Sequence, residues 1–315
     1  MSSDPRIVIA LGGNALGDNP AEQRRAIDAA APALVGLIAQ GYEIIVTHGN
    51  GPQVGAIHQA FATAAAAGGK MGPVGLAECT AMSQGYIGYQ LQQGIARQLR
   101  LAGMPWHVAT VVTQVEVAAD DPAFGDPTKP VGAFVDEATA RAAMAANPGV
   151  KYVDDAGRGW RRVVASPRPI GIVERDSILN LLDHEFIVIA CGGGGVPVVR
   201  DPAGDFRGVE AVVDKDFAAA TLAQACGAHD LFILTAVDRV AVGWGTPAQR
   251  DLESLSAAEA EALAAAGEFG AGSMLPKIRA AIGFVRSGPD RRATICSLAG
   301  APHAMAGNAG TLIHA

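Results

Sequence analysis

Short apolar runs recur along the chain. Each closes on glycine or on small polar residues, and longer amphipathic stretches lie between them. Arg6 to Leu11 reads as a first buried strand and ends at Gly12-Gly13-Asn14. Asn19-Pro20-Ala21-Glu22 then carries a helix start, with Asn as N-cap, Pro at the first helical position and Glu two residues on. That helix is expected to run to about Gln40, where Gly41 stops it. Tyr42 to Thr47 is a second strand, followed by helix from about Gly55 and another over roughly Thr80 to Leu101. Trp106 to Val117 is β-branched and reads as one further strand. This β-α-β-α-β alternation predicts an α/β fold, a parallel sheet with helices on both faces.

The alternation breaks at Ala119. Asp121 to Val131 is rich in Pro, Gly and Asp, a short helix follows from about Asp136 to Asn147, and Tyr152 to Val164 reads as a hairpin turning near Gly157. Residues 119–168 are therefore expected to leave the sheet as a lid or protruding subdomain. Lys151, Arg158, Arg161, Arg162 and Arg168 make it locally basic, as either a solvated face or a direct substrate contact.

The pattern then resumes. Phe186 to Ala190 is a buried strand ending in Gly192-Gly193-Gly194-Gly195, and Arg200 to Gly208 looks like a small hairpin tip. Val212 to Phe217 enters a helix reaching about Cys226. Asp230 to Leu234 is a strand that ends at Thr235-Ala236-Val237-Asp238. Ser256-Ala257-Ala258-Glu259 is a capping box, Pro276 opens another helix, and Arg292 to Cys296 and Gly310 to His314 fit closing strands.

The 315 residues suffice for one large or two ordinary domains, and at 50% hydrophobic and 17% charged the chain is globular. A net charge of −7 argues against a nucleic-acid partner. The apolar run Ile7 to Leu11 is too short for a signal peptide or a membrane span, so no membrane partner is expected. Cys79, Cys191, Cys226 and Cys296 are far apart and read as reduced, buried thiols of a cytoplasmic protein.

Open α/β sheets bind ligands at the carboxyl ends of their strands. The turns at Gly12–Asn14, Gly49–Gly51, Gly192–Gly195 and Thr235–Asp238 all fall there. In Thr47-His48-Gly49-Asn50-Gly51-Pro52 a strand meets a helix start through glycines, which leaves backbone N–H groups free to face an anion. Neither GGNALG nor GNGPQVG is a dinucleotide fingerprint, and Gly69-Lys70 is followed by Met71, so no Walker A motif is present. Three of the few lysines sit at turns or helix starts: Lys129, Lys215 between two aspartates, and Lys277 after Pro276. Phosphoryl transfer asks a protein mainly for positioning and positive charge, which three fixed lysines supply and which Asp216 could hold apart and aimed. The histidines show no metal-ligand spacing, and His48 reads as a structural hydrogen-bonder rather than a base.

The motifs as a set resemble carbamate kinase, of the amino acid kinase superfamily, along essentially the whole chain and in the same order. They include Ala10 to Leu16, Thr47 to Gly55, Ala81 to Tyr89, Asp121 to Phe124, Pro127 to Pro130 and Arg161 to Val164. Gly192 to Pro197, Val213 to Ala218, Leu234 to Asp238 and Gly272 to Lys277 complete them. The resemblance implies a single three-layer α/β/α sandwich over 1–315 with a mostly parallel central sheet and a small protruding lid. The carbamate side would lie in about 1–190 and the nucleotide side in about 191–315. It implies a homodimer and the reaction ATP + carbamate ⇌ ADP + carbamoyl phosphate with Mg²⁺, run toward ATP in arginine or purine breakdown. Lys129, Lys215 and Lys277 would surround the transferred phosphoryl group, and Asp216 would organise the lysines. Gly12, Gly13 and Asn14 would bind that phosphate, Gly49, Asn50 and Gly51 the carbamate. Ala236, Val237, Asp238 and Met274 would lie along the nucleotide.

Two stretches depart from the family pattern. Met71 to Thr80 differs from the Pro-Leu-Asp-Val-Cys-Gly expected before Ala81-Met82, and Trp244 stands where a tyrosine is usual near the base. A same-fold kinase for another carboxylate is the nearest alternative. An acetylglutamate kinase would carry a lysine in the first glycine turn, where Asn14 stands. A non-catalytic binding protein on this fold would have a broken lysine set, whereas this one is complete.

Overall fold

A computed structural model describes residues 5–12, 19–155 and 157–315. The first elements are β1 (Arg6–Leu11), α1 (Pro20–Ile38), β2 (Glu43–His48), α2 (Gln53–Ala66), α3 (Leu76–Leu101), β3 (His107–Thr110) and β4 (Gln114–Val117). Then come β5 (Lys129–Val135), α4 (Glu137–Ala146), β6 (Lys151–Asp154), β7 (Trp160–Val164), β8 (Pro169–Ile172), α5 (Arg175–Leu182), β9 (Phe186–Ile189), β10 (Val196–Arg200) and β11 (Phe206–Gly208). The last are α6 (Lys215–Ala225), β12 (Asp230–Thr235), β13 (Ala241–Val242), β14 (Arg250–Asp251), β15 (Ser254–Ser256), α7 (Ala257–Ala265), α8 (Met274–Val285), β16 (Arg292–Ser297), α9 (Ala301–Met305) and β17 (Thr311–His314).

Among the described residues the main sheet has eight strands in the order β15-β17-β16-β12-β1-β2-β9-β3. It is parallel except where β17 runs against β16. Its central strands β1, β2, β9 and β12 are largely apolar because both of their faces are covered. Ile7, Ile9 and Leu11 point into one layer with α1 and α3, while Val8 and Ala10 point into the other with α6 and α8. The fold is thus a three-layer α/β/α sandwich. Asn19 caps α1 by accepting from the N–H groups of Ala21 and Glu22, and Ser256 with Glu259 forms the full capping box of α7.

The register brings three strand ends together. Leu11 pairs with His48, and Ala10 with Ile233, so the turns after β1, β2 and β12 share one edge. The turn after β9 joins them beside β2.

The run Trp106 to Val117 is two strands, not one. β3 stays in the main sheet, whereas β4 belongs to a second sheet in the order β11-β10-β4-β8. The break is imposed from outside the run. The buried Gln84 side chain on α3 accepts from Thr113 N at 2.8 Å and donates to Thr113 O at 3.1 Å, and Glu174 accepts from Gln114 N at 2.7 Å. The Arg200 to Gly208 hairpin is the β10–β11 edge of that same sheet. A three-stranded antiparallel sheet, β5-β7-β6, stands apart with α4 against it. Its β5 falls in sequence expected to be irregular up to Val131.

Candidate active site

A cleft of about 760 Å³ opens at the shared edge of β1, β2 and β12. Its floor is built by the turns. His48, at the end of β2, is fully buried. Its Nδ1 donates to Gly49 O at 2.8 Å, which leaves Nε2 bare and facing Gly192. Burial holds its pKa down to about 4 against the opposing bond to Gly49, so the ring is neutral at ordinary pH. Asn50 donates to Ser83 Oγ at 3.1 Å, and Ser83 donates to Thr80 O at 2.7 Å. Gly193 packs against the Asn50 amide with φ at +68°, where a Cβ would come within 2.2 Å of Nδ2. Only glycine fits there. Gly12, Gly49, Asn50 and Gly51 line the cleft. Gly13 and Asn14, expected beside Gly12, lie outside the described residues.

The positive side comes from three separate segments. Lys215 opens α6 and Lys277 lies in the first turn of α8. Both reach the same carboxylate: Lys215 Nζ is 2.5 Å from Asp216 Oδ1, and Lys277 Nζ is 2.8 Å from Asp216 Oδ2. The Asp216 side chain is 4% exposed. Burial alone would raise its pKa, but Lys215 and Lys277 outweigh that and hold it below the usual carboxylate range. Lys129 begins β5 and reaches in from the small sheet to Asp214 Oδ2 at 2.9 Å. Asp214 is the N-cap of α6 and accepts from Asp216 N at 2.9 Å. Burial pushes its pKa up, yet the Lys129 charge and hydrogen bond bring it down to about 2.

Ala236, Val237, Trp244, Phe269 and Met274 form the opposite, mainly apolar wall. Glu268 accepts from Gly243 N at 2.9 Å and so holds the loop that carries Trp244, itself 61% exposed. Asp238 does not line the cleft; it sits near Gly300 and Cys296, whose thiol burial and Asp238 push up to about 12. Of the basic residues described in 119–168, Lys129 and Arg161 line the cleft, beside Pro130, Val131 and Gly132, and Arg161 also meets Asp155 at 3.3 Å.

Sequence reading passed over Asp214, Glu268 and the particular position of Arg161. For Asp214 a signal was present, since an aspartate directly before a helix start is a standard cap.

Residues 5–297 match the model of the amino acid kinase family. The chain is 48% identical to "Carbamate kinase-like protein YqeA" of Escherichia coli (strain K12) over 308 residues, 98% of each chain. It is also 48% identical to a carbamate kinase of Staphylococcus haemolyticus over 309 residues, 98% of this chain and 99% of that one. The structure of carbamate kinase from Giardia lamblia bound to AMP-PNP superposes with a TM-score of 0.91 at 42% identity, covering 100% of this chain and 99% of that one. The chain is a kinase of the amino acid kinase family and belongs to its carbamate kinase branch.

Proposed function

We propose that the chain catalyses reversible phosphoryl transfer between ATP and carbamate, giving ADP and carbamoyl phosphate, and that it runs toward ATP in arginine or purine breakdown. The observation that carries this reading is the pair of lysines on one buried carboxylate, with a third lysine reaching across the cleft. A carbamate oxygen attacks the γ-phosphorus while the bond from that phosphorus to the β–γ bridging oxygen breaks, and ADP leaves with the electron pair. Carbamate is already an anion, so no proton need be removed. No histidine lines the cleft among the described residues, and His48, buried behind the Gly49 turn, is neutral, which suits a site without a general base.

The barrier is mainly electrostatic. Two like charges 4 Å apart repel by about 4 kcal/mol at the effective dielectric of a protein surface, and each lysine at a similar distance offsets a like amount. Lys129, Lys215 and Lys277 surround the moving phosphoryl group in this reading, and Asp216 aims the latter two. Gly12, Gly13 and Asn14 hold the phosphate in this reading, and Gly49, Asn50 and Gly51 hold carbamate. Ala236, Val237 and Met274 follow the nucleotide, and Asp238, expected with them, stands just behind the cleft lining. The part before about residue 190 thus serves the acceptor, the part after it the nucleotide, and 119–168 acts as a lid.

Mg²⁺ accompanies the nucleotide and shields phosphate charge. Among the described residues the carboxylates lining the cleft are Asp214, Asp216 and Glu268, each already engaged by a lysine or a backbone N–H. That donor set suits a metal held mostly by phosphate oxygens.

We assign the chain to the cytoplasm as a homodimer. All four cysteines are free and buried, and no described helix is long and apolar enough to cross a membrane. Met82 and Tyr89 stand exposed on one stripe of α3, which packs beside the edge strand β3, and offer an apolar face to a second copy. The decisive experiment is ATP formation from ADP and carbamoyl phosphate with Mg²⁺ by the purified protein. A folded protein that makes no ATP overturns the reading.

A further inference from the structure

We propose that Asp214 is a positioning residue for the transfer, its carboxylate tethering the subdomain lysine, Lys129, at the reacting edge of the cleft. The proposal rests on the phosphoryl-transfer reading and refines it.

The two cleft aspartates divide the lysines between them. Both oxygens of Asp216 are engaged, one by Lys215 and one by Lys277. Lys129 comes from a different sheet, 85 residues earlier in the chain, and its ion-pair partner is Asp214. The Asp214 carboxylate is itself fixed, because Oδ1 accepts from the backbone N–H of Asp216 while Oδ2 takes Lys129. One side chain therefore joins the small sheet to the first turn of α6. The lysine side chain has a long flexible stem and loses its preferred position without an anchor. The tether selects, before any ligand arrives, the rotamers that keep the ammonium over the cleft.

Two roles of Asp214 can be separated. Capping α6 needs only an acceptor oxygen, which asparagine also supplies. Holding Lys129 by a charge-assisted bond needs the negative charge. Asp214→Asn keeps the first and removes the second.

The test compares wild type, Asp214→Asn, Lys129→Ala and the double variant in ATP formation from ADP and carbamoyl phosphate. Wild-type turnover alone decides the functional reading. For Asp214→Asn, kcat should fall roughly 10- to 100-fold, with KM for ADP within about threefold. In the Lys129→Ala background the same change should cost less than about threefold, because its target is gone. A second readout needs no activity. Per-lysine acetylation by acetic anhydride, read by mass spectrometry, should show Lys129 reacting several-fold faster in Asp214→Asn, with Lys215 and Lys277 unchanged. Wild-type kcat in Asp214→Asn, faster turnover, a full further loss in the double variant, or unaltered Lys129 labelling would each overturn the proposal.

Discussion

Gly55 of α2 and Gly132 of β5 meet backbone to backbone: a Cβ placed on Gly55 would stand 2.3 Å from the Gly132 Cα. This contact seats the small sheet on the body three residues after Lys129, so it sets how far that lysine reaches. Gly55→Ala must push the two backbones apart. Overpacking of this kind costs about 1–3 kcal/mol, and a displacement near 1 Å at a reacting group costs on the order of 10²-fold in rate. The variant should remain folded and lose turnover far more than nucleotide affinity. Steady-state kinetics beside a thermal melt check this; wild-type kcat would mean that the seat does not govern the site.

Lys129 carries the clearest single-residue expectation. It is the lysine that the small sheet supplies to the cleft, and neither Lys215 nor Lys277 stands on that side. Lys129→Ala should lose at least ~100-fold in kcat, the scale of removing one preorganised charge donor. Arg161 also lines the cleft, and near-wild-type rates in Lys129→Ala would move the subdomain's contribution to it.

Asp214 should also leave a mark on stability. Its pKa is about 2 in the fold against an ordinary 3.8, because Lys129 outweighs the effect of burial. A depressed carboxylate pKa stabilises the fold fully above the unfolded value and loses that contribution as pH falls through the folded one. The ion pair should therefore be worth about 2 kcal/mol near neutrality and roughly half that near pH 3. Urea unfolding of wild type and Asp214→Asn at several pH values measures the gap directly. A gap that stays constant on acidification would show that the charge of Asp214 does not account for it.

The parts of this molecule most legible in the sequence were those whose environment is uniform. β1, β2 and β12 lie between two apolar layers, so an unbroken apolar run marks each of them. The split between β3 and β4 was hidden, because Thr110-Val111-Val112-Thr113 is β-branched throughout and the break is made by Gln84, 29 residues from Thr113. β5 was obscured for the opposite reason: Lys129-Pro130-Val131-Gly132 reads as loop, yet pairing with β7 makes it a strand. In the cleft, the positions of Lys129, Lys215 and Lys277 at turns and helix starts were visible as a local pattern. Their division between Asp214 and Asp216 was not, since it depends on chain crossings that no local spacing encodes.

His48 gives the last expectation, and it concerns acid. The ring is buried with Nε2 unpartnered, and burial lowers its pKa from 6.5 to about 4. An unfolded chain takes up this proton as pH drops through about 6.5, while the folded chain resists until about 4. Stability should thus decline across that window, by up to about 3 kcal/mol from this one group. His48→Gln should flatten that part of the urea-midpoint profile, and His48→Asn serves the same purpose if glutamine does not pack. Because the ring stays neutral where the enzyme works, neither variant should remove a limb from the pH dependence of kcat. A limb near 6.5 that disappears with His48 would make this histidine a participant in the chemistry and not part of the floor.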